Sequence, residues 1–405
     1  MSAPDIAVER LGADYFADPY SVHARLRAQR PVTPVVMPGG PGAWLITGYA
    51  EARAALADSR LSKHMPGWHP EPGSIFAALD LHMLNSDPPD HARLRKLVNK
   101  AFTARRVERL RPRITAITAG LLEDMSARGV EGAQRGRLEV DLLASFAFPL
   151  PITVICELLG VPAGDRDDFR TWSATIVANA AAPEVFQAHA TAMIRYFTAL
   201  LAAKRRQPAD DLLSALIAAR DEADSLSENE LVSMAFLLLV AGHETTVNLI
   251  ASGVLALLLN PAELARLRTE PALIGSAVEE LLRYVNPVNH TTFRCAAEPV
   301  EIGGVRISRG DPVLVALSGA NRDPARFGDP DRLDLGRDGS GHLAFGHGIH
   351  YCLGAPLARL EAEIAISGLV ARFGSISLAV PAASLRWRPS TLIHGLESLP
   401  VRLAA

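Results

Sequence analysis

The sequence predicts a mainly α-helical protein with a small β portion, and three observations carry that prediction. Apolar residues recur at helical spacing through most of the 405-residue chain. One apolar run, ending at Leu259, has its own start signal at Ser227 and its own stop signal. Short β-type runs punctuated by Gly and Pro are confined to two places, before Tyr49 and between Thr291 and Leu317.

Taken in order, Val32–Met37 and Ala43–Thr47 flank Pro38-Gly39-Gly40-Pro41-Gly42, which predicts a hairpin. Ser62 to Pro89 is rich in Pro, Gly and His and shows no period. Leu94, Leu97, Val98, Ala101 and Phe102 form one helical stripe; Val107, Leu110, Ile114, Ile117 and Leu121 form another. Ser227 and Glu230 make an S-x-x-E capping box, and Asn260-Pro261 ends the helix that follows. At its usual rise that helix is roughly 45–50 Å long. It is apolar nearly all round and should run buried through the middle of the molecule. Gly303-Gly304 separates Val300–Ile302 from Val305–Ile307, a second hairpin. Ala320 to His350 has no long periodic segment, and an irregular stretch of that length usually marks function. Ala355 to Phe373 reads as a helix again. No linker divides the chain, so a single domain over residues 1–405 is expected.

A net charge of −3 argues against a nucleic-acid binder held by bulk electrostatics. The three cysteines, Cys156, Cys295 and Cys352, are far apart and form no C-x-x-C pair. A disulfide framework or Cys-rich zinc site is thus unexpected, and a reducing cytoplasm fits. Met1 to Phe16 contains acids and no apolar core, unlike a signal peptide or anchor. The most apolar run, Val232 to Val240, is too short to span a bilayer, so the expectation is a soluble, cytoplasmic protein with no membrane partner.

Phe345-Gly346-His347-Gly348-Ile349-His350-Tyr351-Cys352-Leu353-Gly354 has F-x-x-G-x-x-x-C-x-G spacing. It sets a thiol at the mouth of a helix, where backbone N–H groups and the helix dipole favour a thiolate. Cys352 then reads as an inert core thiol, as a nucleophile with His347 or His350 as base, or as an axial ligand of haem iron. In mid-helix lies Ala241-Gly242-His243-Glu244-Thr245-Thr246. Gly and back-bonding Thr lower local helix stability, which predicts a bulge or kink that opens a groove for a small diatomic ligand. Glu244 and Thr245 supply an acid and a hydroxyl for proton transfer; the plainer alternative is a polar patch on a core helix, expensive without partners. His243 fits a satisfied structural histidine. Glu280 and Arg283 share a helix face at i,i+3. Arg93 to Arg113 holds nine Lys or Arg and one acid, Glu108, either a solvated face or a docking surface for an acidic partner.

Together these residues resemble the cytochrome P-450 superfamily in its soluble bacterial, actinobacterial-type form. The Cys352 loop is similar to its haem-binding signature, Ala241 to Thr245 to its A-G-x-[D/E]-T motif, and Glu280 with Arg283 to its buried E-x-x-R, which Arg337 completes from a later loop. The resemblance runs from the first hairpin to the closing Ser390–Leu396 segment. It implies the cytochrome P-450 fold, with haem between the long central helix and the helix following the Cys loop. It implies haem b (iron protoporphyrin IX) with the Cys352 thiolate as metal ligand, and Phe345, Gly346, Gly354, Ala241 and Gly242 around the cofactor. It places His91, Arg95, Arg294 and His350 on the haem propionates; each alone fits a solvated surface residue.

The implied reaction is monooxygenation with O2 as co-substrate, protons passing through Glu244 and Thr245, and electrons from ferredoxin and ferredoxin reductase. The implied substrate is a bulky lipophilic small molecule, a macrolide or other polyketide or a terpenoid of secondary metabolism, which is hydroxylated or epoxidised. Met83, Leu84, Val240, Val288, Asn289, His290, Thr291, Leu392 and Ile393 are the expected substrate contacts; Asn289 and His290 bond either a substrate oxygen or backbone. A monomer is implied. A haem peroxygenase or decarboxylase, and a non-catalytic haem sensor, are the alternatives, and neither needs the Glu244–Thr245 pair.

Overall fold

The structure is a computed structural model that describes residues 7–66, 75–132, 138–177, 182–220 and 226–404. Its axis is the helix Glu228–Leu259. The start is fixed in both directions: the Ser227 hydroxyl accepts from the Glu230 N–H at 3.2 Å, and the Glu230 carboxylate accepts from the Ser227 N–H at 2.7 Å. Asn260-Pro261 ends it after 32 residues, about 48 Å. This helix is long and apolar enough to cross a membrane, yet most of that apolar surface is buried inside the fold. Helices Pro149–Leu159, Ile274–Val285 and Ala355–Arg372 pack on it. The last of these opens three residues after Cys352 and is called the Cys helix below.

The first hairpin forms as expected, with Val32–Val36 antiparallel to Gly42–Ile46. Gly42–Ile46 then pairs in parallel with Pro312–Val315, which is flanked in turn by Arg294–Ala296 and Leu61–Ser62. This sheet brings residues from both ends of the chain beside the Cys loop. The second hairpin closes through Gly303 and Gly304 at φ +57° and +74°, a left-handed pair that glycine alone adopts without strain.

Three expectations need correction. The stripe from Val107 to Leu121 is not one helix: it breaks at Arg109–Leu110 into Ala104–Glu108 and Arg111–Gly132, where the Leu110 N–H turns back to the Val107 carbonyl at 2.9 Å. Within the Ser62–Pro89 segment, of which residues 67–74 lie outside the described residues, a helix Ile75–Asp80 and a 3-10 turn Met83–Asn85 form. Finally, the long helix runs through Ala241–Thr246 without a bulge. Gly242 serves a different purpose there: a Cβ on it would lie 2.7 Å from Ile155, so the glycine lets helix Pro149–Leu159 close on the long helix.

Glu361, on the Cys helix, is fully buried, and neither carboxylate oxygen has a hydrogen-bond partner among the described residues. Burial raises its pKa well above the ordinary value, so the folded protein holds this acid neutral. The unfolded chain ionises it at the usual carboxylate pKa. Above that value the folded state binds the extra proton, and stability drains away as pH rises. Glu361→Gln is therefore expected to gain stability over the parent as pH rises above the ordinary carboxylate range, read as denaturant midpoints. Parallel pH dependences for the two proteins would refute a neutral Glu361.

Candidate functional site

The Cys loop is shaped by two glycines. Gly346 and Gly348 have φ of +72° and +73°, and a Cβ on Gly348 would come within 2.8 Å of the Leu56 carbonyl oxygen. The loop closes when the Cys352 N–H donates to the Phe345 carbonyl at 2.9 Å. The Arg359 guanidinium lies 4.5 Å over the Phe345 ring. Cys352 itself remains accessible, although enough protein surrounds the thiol for burial to push its pKa up. The Gly354 and Ala355 N–H groups, with Arg95 and Arg359, pull it back down. The helix mouth thus acts on the thiol as expected, but burial outweighs it in the protein alone.

Beside the loop lies a cage of basic side chains. His91 and His350 meet ring to ring at 4.4 Å, and the Nε2 of each is buried with no hydrogen-bond partner among the described residues. Arg294 is 4% exposed; its Nε is likewise unpartnered and its Nη1 makes one long bond, 3.3 Å, to the Leu61 carbonyl. Lys63 is a member that sequence reasoning missed. The register Leu61↔Ala296, Ser62↔Cys295, carried on by one residue, sets Lys63 across from Arg294. Like charges directly opposite repel, and burial together with Arg294 lowers the Lys63 pKa to about 7. Burial, then Lys63, Arg294, His91 and Arg95, bring His350 to about 3. Arg95 Nη1 and Nη2 donate to the Ile349 and Tyr351 carbonyls at 2.9 and 2.7 Å, which ties helix Asp90–Ala101 to the Cys loop.

On the long helix, Ala241 is exposed between the half-buried Val240 and Gly242. The Thr245 hydroxyl donates back to the Ala241 carbonyl at 3.0 Å. Glu244 points elsewhere: both Nη atoms of Arg388 lie 3.3 Å from its Oε2. His243 is structural as expected, with Nδ1 on the Leu239 carbonyl at 2.8 Å and Nε2 on the Ser173 hydroxyl at 3.0 Å. Behind the Cys loop, Arg283 meets Glu280 through two bonds of 2.7 and 2.8 Å, both side chains fully buried. Arg337 joins at 3.2 Å, which completes the triad expected from sequence. A second brace was not anticipated. Glu279 takes Arg359 at 2.5 and 2.9 Å and His342 at 3.1 Å, which links helix Ile274–Val285 to the Cys helix. Burial works to raise Glu279's pKa, but these partners bring it to about 2.

Of the expected substrate contacts, Met83, Leu84 and Val240 are half-buried against the main core, and Val288 pairs with Ile393 in an isolated β-bridge. Leu392 is half-buried beside it. Thr291 is spent on the sheet, its hydroxyl accepting from the Val315 N–H at 3.3 Å. Asn289 and His290 are a correction. His290 bonds the Tyr15 hydroxyl and the Thr391 carbonyl, each at 2.6 Å. Asn289 bonds the Tyr15 and Ser318 hydroxyls at 3.1 and 2.5 Å. Both side chains belong to a buried structural network and present no free polar group to a substrate.

These residues fit a haem. An accessible thiol suits its iron, and three buried basic side chains with the half-buried His350, three of the four having unpartnered nitrogens, suit its two propionates. The family model described as "Cytochrome P450" matches residues 169–378. Cytochrome P450 107B1 from Saccharopolyspora erythraea is 51% identical, over 97% of this chain and 97% of its own. The 6-deoxyerythronolide B hydroxylase of the same organism is 46% identical over 99% of both chains. Among solved structures, the tirandamycin C-bound P450 monooxygenase TamI superposes with a TM-score of 0.89 at 51% identity, over 98% of this chain and 100% of that one.

Proposed function

The chain belongs to the cytochrome P450 family, as an oxygen-incorporating oxidoreductase, and on that premise we propose that Cys352 ligates haem b in an enzyme that hydroxylates or epoxidises a polyketide such as a macrolactone. The carrying observation is the accessible Cys352 thiol in its two-glycine loop beside the cage of Lys63, His91, Arg294 and His350. A bound haem supplies O2 activation and oxygen transfer. The protein's part is to hold, orient and manage protons. Cys352 gives its sulfur, and the cage binds the propionates. Thr245 presents a hydroxyl that gives up its bond to the Ala241 carbonyl, and Glu244 replenishes the proton at Oγ1 through water, since the two side chains make no direct bond. Met83, Leu84, Val240, Val288, Leu392 and Ile393 offer apolar contact, which suits a bulky lipophilic substrate. Likeness to a relative named for 6-deoxyerythronolide B and to one that binds tirandamycin C supports the polyketide class. An optical titration of the ferric protein with macrolactones, steroids and terpenoids tests it. A shift to high spin with macrolactones alone is expected; a shift with steroids alone would move the substrate to that class.

Electrons come from a ferredoxin-type protein on the face beside the Cys loop. Of the nine cations from Arg93 to Arg113, Arg93, Arg106, Arg111 and Arg113 are paired with acids. Lys96, Lys100, Arg105 and Arg109 are exposed and have no ion pair among the described residues. Three of them line a common groove. Ile349 and Tyr351, 49% and 41% exposed, lie next to the same helix through Arg95. Reversing Lys96, Lys100 and Arg105 to Glu is expected to slow reduction of the haem-loaded protein by ferredoxin and flatten its dependence on salt. An unchanged salt slope would count against this face.

Lys63 supplies a further check. In the haem-free protein Lys63→Met removes the repulsion from Arg294 along with the ammonium's bond to the Thr292 hydroxyl, and in the loaded one it removes an attraction. The haem-free variant is expected to be no less stable than its parent, while the loaded variant surrenders haem faster to an acceptor protein. Equal rates of haem loss would remove Lys63 from the site.

A further inference from the structure

Tyr15 carries a buried hydroxyl that the oxygen chemistry does not use. It lies on the 3-10 turn Ala13–Phe16, is 1% exposed, and has three partners. The His290 Nε2 lies at 2.6 Å, the His23 Nε2 at 2.8 Å and the Asn289 Nδ2 at 3.1 Å. One fixed acceptor sets the proton positions. The Thr391 carbonyl can only accept, so the His290 Nδ1, at 2.6 Å, carries the proton and its Nε2 is bare. Tyr15 then donates to His290, and its oxygen accepts from His23 and Asn289. One donated and two accepted bonds fill a phenol. Behind them, His23 Nδ1 and Asn289 Oδ1 both face the Ser318 hydroxyl, at 3.2 and 2.5 Å. A Cβ on Gly319 would press on the His23 ring at 3.1 Å, so the glycine makes room for the cluster. Burial lowers both histidine pKa values and raises that of Tyr15, which keeps the cluster neutral at neutral pH.

Two backbone segments lead from this cluster to the residues assigned to substrate. Asn289 and His290 follow Val288, and Thr391 precedes Leu392 and Ile393. The segments are laced together. The Asn289 N–H donates to the Leu392 carbonyl at 2.8 Å, the His394 N–H donates to the Pro287 carbonyl at 2.9 Å, and Val288 pairs with Ile393. The bond from His290 to Thr391 ties them once more, and it needs the ring orientation that Tyr15 holds by its hydroxyl and by stacking at 5.8 Å. Tyr20, on helix Pro19–Gln29, grips the same region from one side, its hydroxyl donating to the Val285 carbonyl at 2.7 Å. The N-terminal part of the chain thus backs both apolar segments, while Val288 and Leu392 keep half-buried surface for a ligand.

We propose that Tyr15 is a positioning residue for bulky ligands: its hydroxyl, through His290 and Asn289, fixes the spacing of Val288, Leu392 and Ile393, and so sets how tightly a large apolar molecule is held. This rests on the reading of those three residues as substrate contacts. Removing the hydroxyl alone leaves a bare acceptor on His290 and two donors, on His23 and Asn289, unpaired in the interior. The His290 ring then turns to find other partners, Thr391 loses its donor, and the Leu392–Ile393 turn shifts against Val288.

The test compares two iron ligands in the haem-loaded protein, each titrated by its Soret shift: imidazole, and clotrimazole, an imidazole that carries three aryl rings. Tyr15→Phe is expected to weaken clotrimazole about tenfold, within the ordinary coupling between two sites, and to leave imidazole and the carbon monoxide band unchanged. A general loosening of the fold would weaken both azoles. His290→Gln keeps one donor and one acceptor and should hold clotrimazole near the parent affinity, whereas His290→Leu should match Tyr15→Phe. The double variant of Tyr15→Phe and His290→Leu should be no worse than either alone, because the two act as a unit. Parental clotrimazole affinity in Tyr15→Phe, equal losses for both azoles, or additive losses in the double variant overturn the proposal. Should Tyr15→Phe fail to retain haem, His290→Leu against His290→Gln carries the same comparison. Leu392→Ala separates the two ideas. If it weakens clotrimazole while Tyr15→Phe does not, only the role of Tyr15 is wrong; if neither does, the substrate contacts are wrong and the proposal falls with them.

Discussion

Arg283→Ala is expected to cost about 3–5 kcal/mol of stability, and the haem-loaded state with it. Arg283 and Glu280 are both fully buried, and two bonds of 2.7 and 2.8 Å join them. Arg283 also donates to the Asn321 and Pro330 carbonyls at 3.0 and 2.8 Å, which pins the irregular stretch before the Cys loop. Among the described residues, the truncation leaves those carbonyls without a donor and the Glu280 carboxylate with only Arg337 at 3.2 Å and the Asp334 N–H at 3.0 Å. Lys should not rescue, because one ammonium cannot replace a planar fork that serves a carboxylate and three carbonyls. Denaturant unfolding measures the loss. A loss under about 1 kcal/mol, the scale of an exposed ion pair, would show that the triad does not hold the loop.

Thr245→Ala is expected to cut product formation on the order of 10²-fold, while reductant is still consumed and hydrogen peroxide is released. Its hydroxyl is the proposed proton carrier on the long helix, where it donates to the Ala241 carbonyl at 3.0 Å. Removal should not hurt the fold: a back-bonding Thr in mid-helix is mildly unfavourable, and Ala is the better helix former. Stability should thus hold while coupling collapses. Normal coupling with intact stability would remove Thr245 from the relay.

What the sequence made legible was local. The capping box at Ser227, the Asn260-Pro261 stop and the Gly303-Gly304 turn each write their geometry within four residues. The Cys loop is similar, since Gly346 and Gly348 must be glycine where φ is positive. The E-x-x-R helix face was readable, and Arg337 came from resemblance. What stayed hidden depends on contacts across the fold. Lys63 meets Arg294 through a strand register spanning over two hundred residues, and nothing near Lys63 marks it. Arg388 reads as one more Arg among Trp and Pro until the hairpin folds it onto Glu244. Asn289 and His290 misled for the same reason: their partners, Tyr15 and Ser318, come from distant elements. Gly242 was read correctly as special but for the wrong purpose, because Ile155 is invisible from the long helix alone.

The most direct test of the central claim is the carbon monoxide spectrum of the reduced, purified holoprotein, recorded beside Cys352→His. The account predicts the red-shifted Soret band of thiolate ligation in the parent, and its replacement by an imidazole-type band in the variant. A parent that binds no haem, or the same band in both proteins, would contradict Cys352 as the ligand and with it the mechanism built around the Cys loop.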